Sequence, residues 1–334
     1  MRFIKYILLI TGFFSLSLSG FTQQAPVFSQ YMINKFLVNP AVVGGNGLTD
    51  INMVVRQQYQ GFTNPPRTFG VMAQTRLLND SYIMKNLRIK KDLNQATRFT
   101  NVGVGGSIFS DRNGIVTKTG LQFAYAYHIN FNNAFQLSMG LSGSAVQYKL
   151  DDSNSFLVDT DDPVLLGDNK QFWVPDASFG LYITNSIWYG GATITDLLGS
   201  SLKLGSDPIK DNFSSVRNYL LMGGYRFDLN ESFTIEPSLL FRTTSLSTQL
   251  DINTRVSYNK SYWMGFSYRT DKTIVSMIGV NVDMFHFGYA YDASFGSVHS
   301  YTAGSHEILF GVLLGEKSTR RFRWVNKDEM EFDM

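Results

Sequence analysis

The chain holds four histidines, His128, His286, His299 and His306, and no cysteine. Without cysteine there is no thiol nucleophile, no thiolate-bound zinc, no disulfide and no lipidated N-terminal cysteine. No two histidines stand at the short spacing that brings two imidazoles onto one metal. His306 and Glu307 are adjacent, and neighbours on a strand point to opposite faces, so they are not expected to share a ligand. A Gly-x-Ser-x-Gly nucleophile elbow is absent. Gly103, Gly105 and Gly106 weakly match a phosphate-cradling loop, but they sit in a strand-like alternation with no helix after it. Close strand packing explains them better. Asp151, Asp152, Asp159, Asp161, Asp162 and Asp168 could meet calcium, yet they lack EF-hand spacing and read as a solvated loop. No catalytic, cofactor or metal residue is assigned, and the chain is expected not to be an enzyme.

The elements that would position such residues are extended. From Thr119 to Gln147, Leu121, Phe123, Tyr125, Tyr127, Ile129 and Phe131 alternate with Gln122, Ala124, Ala126, His128 and Asn130. Asn132-Asn133 reads as a tight turn, and Phe135, Leu137, Met139 and Leu141 then alternate with Gln136, Ser138, Gly140 and Ser142. A period of two is a β-strand with one face apolar and aromatic and the other small and polar. In a soluble sandwich the apolar face would pack on a second sheet, and strands run about 5–6 residues. These run longer, near the roughly 10 residues that cross a bilayer. The small polar face suits a barrel lumen and the aromatic face suits lipid.

Composition agrees. Charged residues are 17% of 334, aromatics 14%, with 29 glycines and a net charge of +2. This is the balance of an outer-membrane barrel with aromatic girdles, and it also fits a large extracellular β-protein. The near-neutral charge argues against a nucleic-acid partner held by bulk electrostatics. Residues 1–23 read as a signal peptide: Arg2 and Lys5, an apolar core from Ile7 to Leu18, then Ser19 and Gly20 near a cleavage site. An uncleaved anchor is the alternative, though the core is short for a span. No later apolar run is long enough for a transmembrane helix, which leaves a closed barrel as the way to cross lipid with every backbone group paired.

Residues 24–48 do not alternate. Asn39-Pro40 and Gly44-Gly45 mark turns, and Phe28, Tyr31, Met32 and Phe36 want a packed site. The segment is expected to form a plug in the lumen or against the periplasmic mouth, with a frayed terminus as the alternative. Residues 49–315 read as a transmembrane antiparallel β-barrel of roughly fourteen strands. Strands are expected at Thr49–Gln60, Phe99–Ser110 and Phe213–Leu229 among others, with a turn over Asp111-Arg112-Asn113-Gly114. Tight connections near 132, 185, 230, 260 and 283 face long ones near 160, 204 and 298, the asymmetry of periplasmic turns and outer loops. A basic insertion at 79–97 and a tail at 316–334 fall on the periplasmic side by parity. Polar inward positions include Arg56, Gln122, His128, Gln136, Arg226, Asp228, Glu236, Arg242, Asp251, Asn253, Arg255 and His286. They are expected to pair with one another or with the plug; a selective pore ring is the sharper reading.

Several blocks also resemble one family. Pro26-Val-Phe28-Ser29-Gln30-Tyr31-Met32 followed by Asn39-Pro40-Ala41 is similar to the mature N-terminus of the PorP/SprF family of Bacteroidetes. Arg56-Gln-Gln-Tyr59-Gln-Gly61-Phe62 with Pro66-Arg67-Thr68 resembles its next block, which often carries Trp at the Tyr59 position. Gly103-Val-Gly-Gly, Asp111-Arg-Asn-Gly114 and Ala124-Tyr-Ala-Tyr-His128 resemble the middle. Tyr291-Asp292 and Gly304-Ser305-His306-Glu307-Ile308 resemble the end, where Thr is commoner than Ser305. The insertion at 79–97 and the tail after Gly315 depart from the pattern. The resemblance implies a non-enzymatic outer-membrane barrel of the type IX secretion and gliding-motility machinery, without cofactors. Its expected partners are outer-membrane lipid and secreted adhesins or periplasmic machinery proteins. A porin-like channel for small solutes is the alternative. Phe28, Gln30, Tyr31, Asn39, Pro40, Arg56, Asp111, His128, His306 and Glu307 are the motif positions carried over, with support of the fold as their expected role.

Overall fold

A computed structural model describes residues 28–62, 64–77, 101–131, 135–150, 171–199, 201–203, 212–214, 216–295 and 302–314. The signal peptide, the 79–97 insertion, the Asp151–Asp168 cluster, His299 and the 316–334 tail lie outside them. The first half of the wall is β1 (Thr49–Gln57), β2 (Arg67–Arg76), β3 (Val102–Asn113), β4 (Val116–Phe131), β5 (Phe135–Leu150), β6 (Gln171–Thr184) and β7 (Trp188–Thr195). The second is β8 (Asn218–Tyr225), β9 (Phe233–Thr243), β10 (Thr248–Tyr258), β11 (Tyr262–Arg269), β12 (Thr273–Val282), β13 (Phe285–Ser294) and β14 (Ser305–Leu314). Each strand pairs antiparallel with its neighbours in sequence, and β1 pairs with β14 from Thr49↔Leu314 to Gln57↔His306. The fourteen strands therefore close into a barrel.

The alternation sorts as a lipid-facing wall requires. Phe123 is 73% exposed and Tyr125 50%, while Ala124 between them is buried and Ala126 and His128 after them are fully so. Large apolar side chains stand exposed on every strand from β1 to β14, far beyond what a soluble monomer leaves in water. The buried set faces inward and is small or polar: Asn52, Ser138, Ser178, Ser238 and Asn253 among them.

Three local expectations are corrected. The third strand runs Val102–Asn113, and the turn is at Gly114-Ile115, so Asp111 is a strand residue and not part of a turn. Gly114 takes a left-handed φ of +61°, which glycine adopts without cost, and that places the reversal there. The expected strand Phe213–Leu229 is broken. Asn212–Ser214 pairs with Ser201–Lys203 in a separate ribbon, β8 begins at Asn218, and Phe227–Asp228 continues the pairing with β9 after Arg226. The first strand ends at Gln57, three residues earlier than the alternation predicts.

Residues 28–48 lie inside the barrel. Two 3₁₀ turns, Lys35–Leu37 and Pro40–Val42, give the segment its only regular structure among the described residues. It seeds three apolar clusters against different parts of the wall: Tyr31, Val38 and Ala41 with Tyr182, Leu220, Met222 and Leu240; Phe36 and Val43 with Val54, Met72, Ala124 and Ala126; Met32 with Trp263, Val275, Met277 and Ala290. The barrel core is thus built between wall and inner segment.

Candidate functional site

Charged side chains in the lumen gather near the two ends of the inner segment. At the end where β5 stops and β6 starts, β1 and β14 form the closing seam, and their register sets Arg56 directly opposite Glu307. The Arg56 guanidinium forks. Nη1 donates to Glu307 Oε2 at 2.9 Å and to Ser29 Oγ at 2.6 Å, and Nη2 donates to Asp292 Oδ2 at 2.7 Å. Ser29 Oγ also reaches Asp292, and the backbone N–H groups of Ser29 and Gln30 donate to the two Glu307 oxygens at 2.8 and 2.9 Å. Arg269 stands 3.6 Å from Asp292 and 3.4 Å from Asp251. All these groups are buried. Charges removed from water this completely persist only when paired and hydrogen-bonded. Every carboxylate here is engaged by an arginine, so the arrangement is a clasp and offers no free base for chemistry.

Further along, His128 seats the middle of the segment. Its Nε2 lies 2.8 Å from the Val43 carbonyl, which can only accept, so Nε2 donates and Nδ1 accepts from Ser138 at 2.7 Å. Asn39 caps the second 3₁₀ turn: its Oδ1 accepts from the Ala41 N–H, and its Nδ2 donates to the Leu181 carbonyl at 2.8 Å. Pro40 and Ala41 press on Gly140, and Asn39 on Gly180, where any Cβ would collide. The Tyr31 hydroxyl bonds Asn253, and burial raises its pKa. Phe28 packs against the cluster that Phe36 and Val43 form with the wall.

Near the opposite end, Glu236 is shared by Arg255 at 2.6 Å and Lys35 at 3.7 Å. The Lys35 ammonium lies 3.4 Å above the Tyr189 ring centre, and burial draws its pKa down to about 8 against the pull of Glu236. A cavity of about 240 Å³ opens beside this group.

Of the ten motif positions, eight meet at the inner segment: Phe28, Gln30, Tyr31, Asn39 and Pro40 on it, Arg56, His128 and Glu307 against it. Two do not. Asp111 accepts from Thr68 at 2.7 Å on the wall, and His306 faces outward, bonded to the Tyr289 hydroxyl at 2.7 Å and set against the Tyr291 ring. His306 and Glu307 therefore lie on opposite faces, as adjacency on a strand requires. Of the inward polar positions, Asp228 is exposed where the pairing resumes after Arg226. Arg269 and Lys35 belong to the site although the sequence did not single them out. Arg269 could have been found from strand phase, since it ends β11 in the buried register of Trp263 and Ser267. Lys35 carries no such signal, because its segment has no period.

The chain matches the family described as type IX secretion system membrane protein PorP/SprF over residues 20–312. No curated protein matches it. Solved barrels are similar in fold. The toluene transporter TbuX of Ralstonia pickettii is 10% identical with a TM-score of 0.49, covering 83% of this chain and 92% of that one. The CymD monoaromatic hydrocarbon channel is 11% identical with a TM-score of 0.45, covering 90% and 95%. The KdgM porin is 10% identical with a TM-score of 0.36, covering 80% and 99%. With the family match spanning most of the sequence, the chain belongs to the PorP/SprF family of type IX secretion system membrane proteins.

Proposed function

We propose that this protein is a non-enzymatic outer-membrane barrel of the type IX secretion and gliding machinery, shut by its own inner segment, that binds exported adhesins or periplasmic machinery proteins. The observation that carries the reading is the clasp. Arg56 and Glu307, one from each strand of the closing seam, hold Ser29 and Gln30 inside the lumen. A barrel whose bore is filled by packed and hydrogen-bonded chain is suited to present surfaces to partners. The partner surfaces are the exposed loops at either end, and the aromatic exterior meets lipid. Residues 1–23 serve as the export signal, residues 24–48 as the plug, and 316–334 as a periplasmic tail.

A small-solute channel is the second reading, favoured by the cavity beside Lys35. Planar-bilayer conductance separates the two: the native chain is expected to be silent, and removal of residues 24–48 is expected to open steady channels. A native chain already open would favour the channel. Capture from detergent-solubilised outer membranes with mass spectrometry tests the partners. Recovery of lipopolysaccharide alone, without secreted or ring proteins, would sink the first reading.

A further inference from the structure

The outward face of the first five strands carries cations and no carboxylate. β1 to β5 contain two acidic residues, Asp50 and Asp111, and both are buried on the inward face. Arg67, Arg112 and Lys149 stand on the outward face, in phase with Phe69, Ile108 and Leu141, and all three are exposed. The register sets Arg67 directly opposite Arg112. Arg112 lies opposite Thr117, whose partner on the far side is Lys149. Like charges directly opposite one another on adjacent strands are destabilising. Neither arginine has an ion pair among the described residues. Two unneutralised guanidinium groups side by side, with no use inside the fold, are a site for an external anion.

Their position on the wall says which anion. The pair lies at the end where β5 stops and β6 starts: β2 begins at Arg67, and β3 ends one residue after Arg112. The next outward pair down these two strands is Phe69 opposite Ser110, followed by Val71 opposite Ile108. From Ser110 the register runs through Thr119 and Gln147 to Trp173, which is 55% exposed. Exposed aromatic residues mark the border between hydrocarbon and headgroups. The arginines stand one outward step beyond the row of Phe69 and Trp173, about 7 Å along the strand. At that height a guanidinium meets lipid phosphate, while the side chains one and two steps below meet acyl chain. A soluble anion would gain nothing from Phe69 and Ile108, whereas a phosphorylated lipid uses both.

We propose that Arg67 and Arg112 bind the phosphate of an anionic glycolipid of the outer leaflet, with Lys149 as an outlying third cation and the acyl chains laid on Phe69, Val71 and Ile108. The proposal rests on the reading of the exterior as lipid-facing and of this end as the outer one, as the loop lengths require. Binding lifts the repulsion between the two arginines, so the lipid also fastens β2 to β3 at the rim. Each cation near an anionic leaflet is worth about a factor of five in binding.

The test uses the full mature chain in dodecyl maltoside, with diphosphoryl lipid A and its dephosphorylated form as probes and native mass spectrometry to count bound lipid. The native chain is expected to take up diphosphoryl lipid A and to prefer it clearly over the dephosphorylated form. Arg67→Gln with Arg112→Gln is expected to weaken that uptake about twentyfold. Lys260→Gln with Lys272→Gln, which removes the same charge at two exposed turns, should leave it within about twofold. In detergent without lipid the arginine variant should melt at the native temperature or above, since it loses a repulsive pair. Uptake unchanged in the arginine variant, an equal loss in the lysine control, equal uptake of the two lipids, or a lowered melting temperature in the arginine variant would each overturn the proposal. A chain that inserts into liposomes but shows no preference for the phosphorylated lipid loses this site and keeps its lipid-facing wall.

Discussion

Arg56→Met tests the clasp directly. The substitution keeps the aliphatic stem and deletes three charge-assisted donors, to Glu307, Asp292 and Ser29. Asp292 retains Arg269 at 3.6 Å and the Ser29 hydroxyl, so its burial is partly compensated. Glu307 loses its arginine and keeps only the Ser29 and Gln30 N–H groups at its carboxylate. Breaking a buried pair by removing one partner costs about 3–5 kcal/mol, and the residual partners place this case near the lower end, about 3 kcal/mol. The strand ladders do not use the Arg56 side chain, so the cost is expected to fall on release of the inner segment before the wall unfolds. The readout is amide hydrogen exchange in detergent micelles. The N–H groups of Ser29 and Gln30 keep their Glu307 acceptor in the variant, so faster exchange reports opening of the clasp. About 3 kcal/mol corresponds to roughly a hundredfold loss of protection at these two amides. Amides in the β12–β13 ladder, such as that of Met277, are expected to keep theirs. Unchanged exchange at Ser29 and Gln30, or an equal rise along β12 and β13, would refute the reasoning.

Glycine supplies a matched pair. Gly103→Ala drives a methyl into the Val43 carbonyl and is expected to cost about 2 kcal/mol or more, read as faster proteolysis within 28–48 at unchanged strand content; Gly143→Ala meets no atom within 4 Å and is expected to stay within about 0.5 kcal/mol of the parent. Asn39→Ala removes the cap bond to Ala41 and the bond to Leu181, an expected loss of about 1–2 kcal/mol in urea titration. The lipid face is tested by folding into liposomes: Phe123→Arg, in the middle of β4, is expected to cost about 2–4 kcal/mol, while Trp173→Arg, on the part of β6 that extends beyond its pairing with β7, should cost at most about 1 kcal/mol. Equal penalties at the two sites would remove the argument that lipid surrounds β4.

The Thr119–Gln147 hairpin was legible because a period of two is a local property. Its face assignment held from Phe123 to His128, with Phe123 and Tyr125 out and Ala124, Ala126 and His128 in, and failed next to the turn, where Asn130 is exposed and Ile129 half-buried. Turn chemistry was less reliable. Asp111-Arg112-Asn113 has strong turn composition, yet the hydroxyl of Thr68 on β2 bonds Asp111 and the strand continues to Asn113. The interruption at Arg226 had no local mark either, since the residues on both sides alternate as one strand would.

The alternation in this sequence determined that the chain makes long two-faced strands, because side-chain direction along extended backbone depends only on the parity of the position. The same parity is enough to set His306 and Glu307 on opposite faces. Only the tertiary structure decided what occupies the bore. Ser29 lies 278 positions from Glu307, and Arg56 lies 236 from Asp292. No short-range pattern links them. They meet because closing the β1–β14 seam carries the two ends of the barrel sequence together around the inner segment, and charges left unpaired there would be too costly to bury.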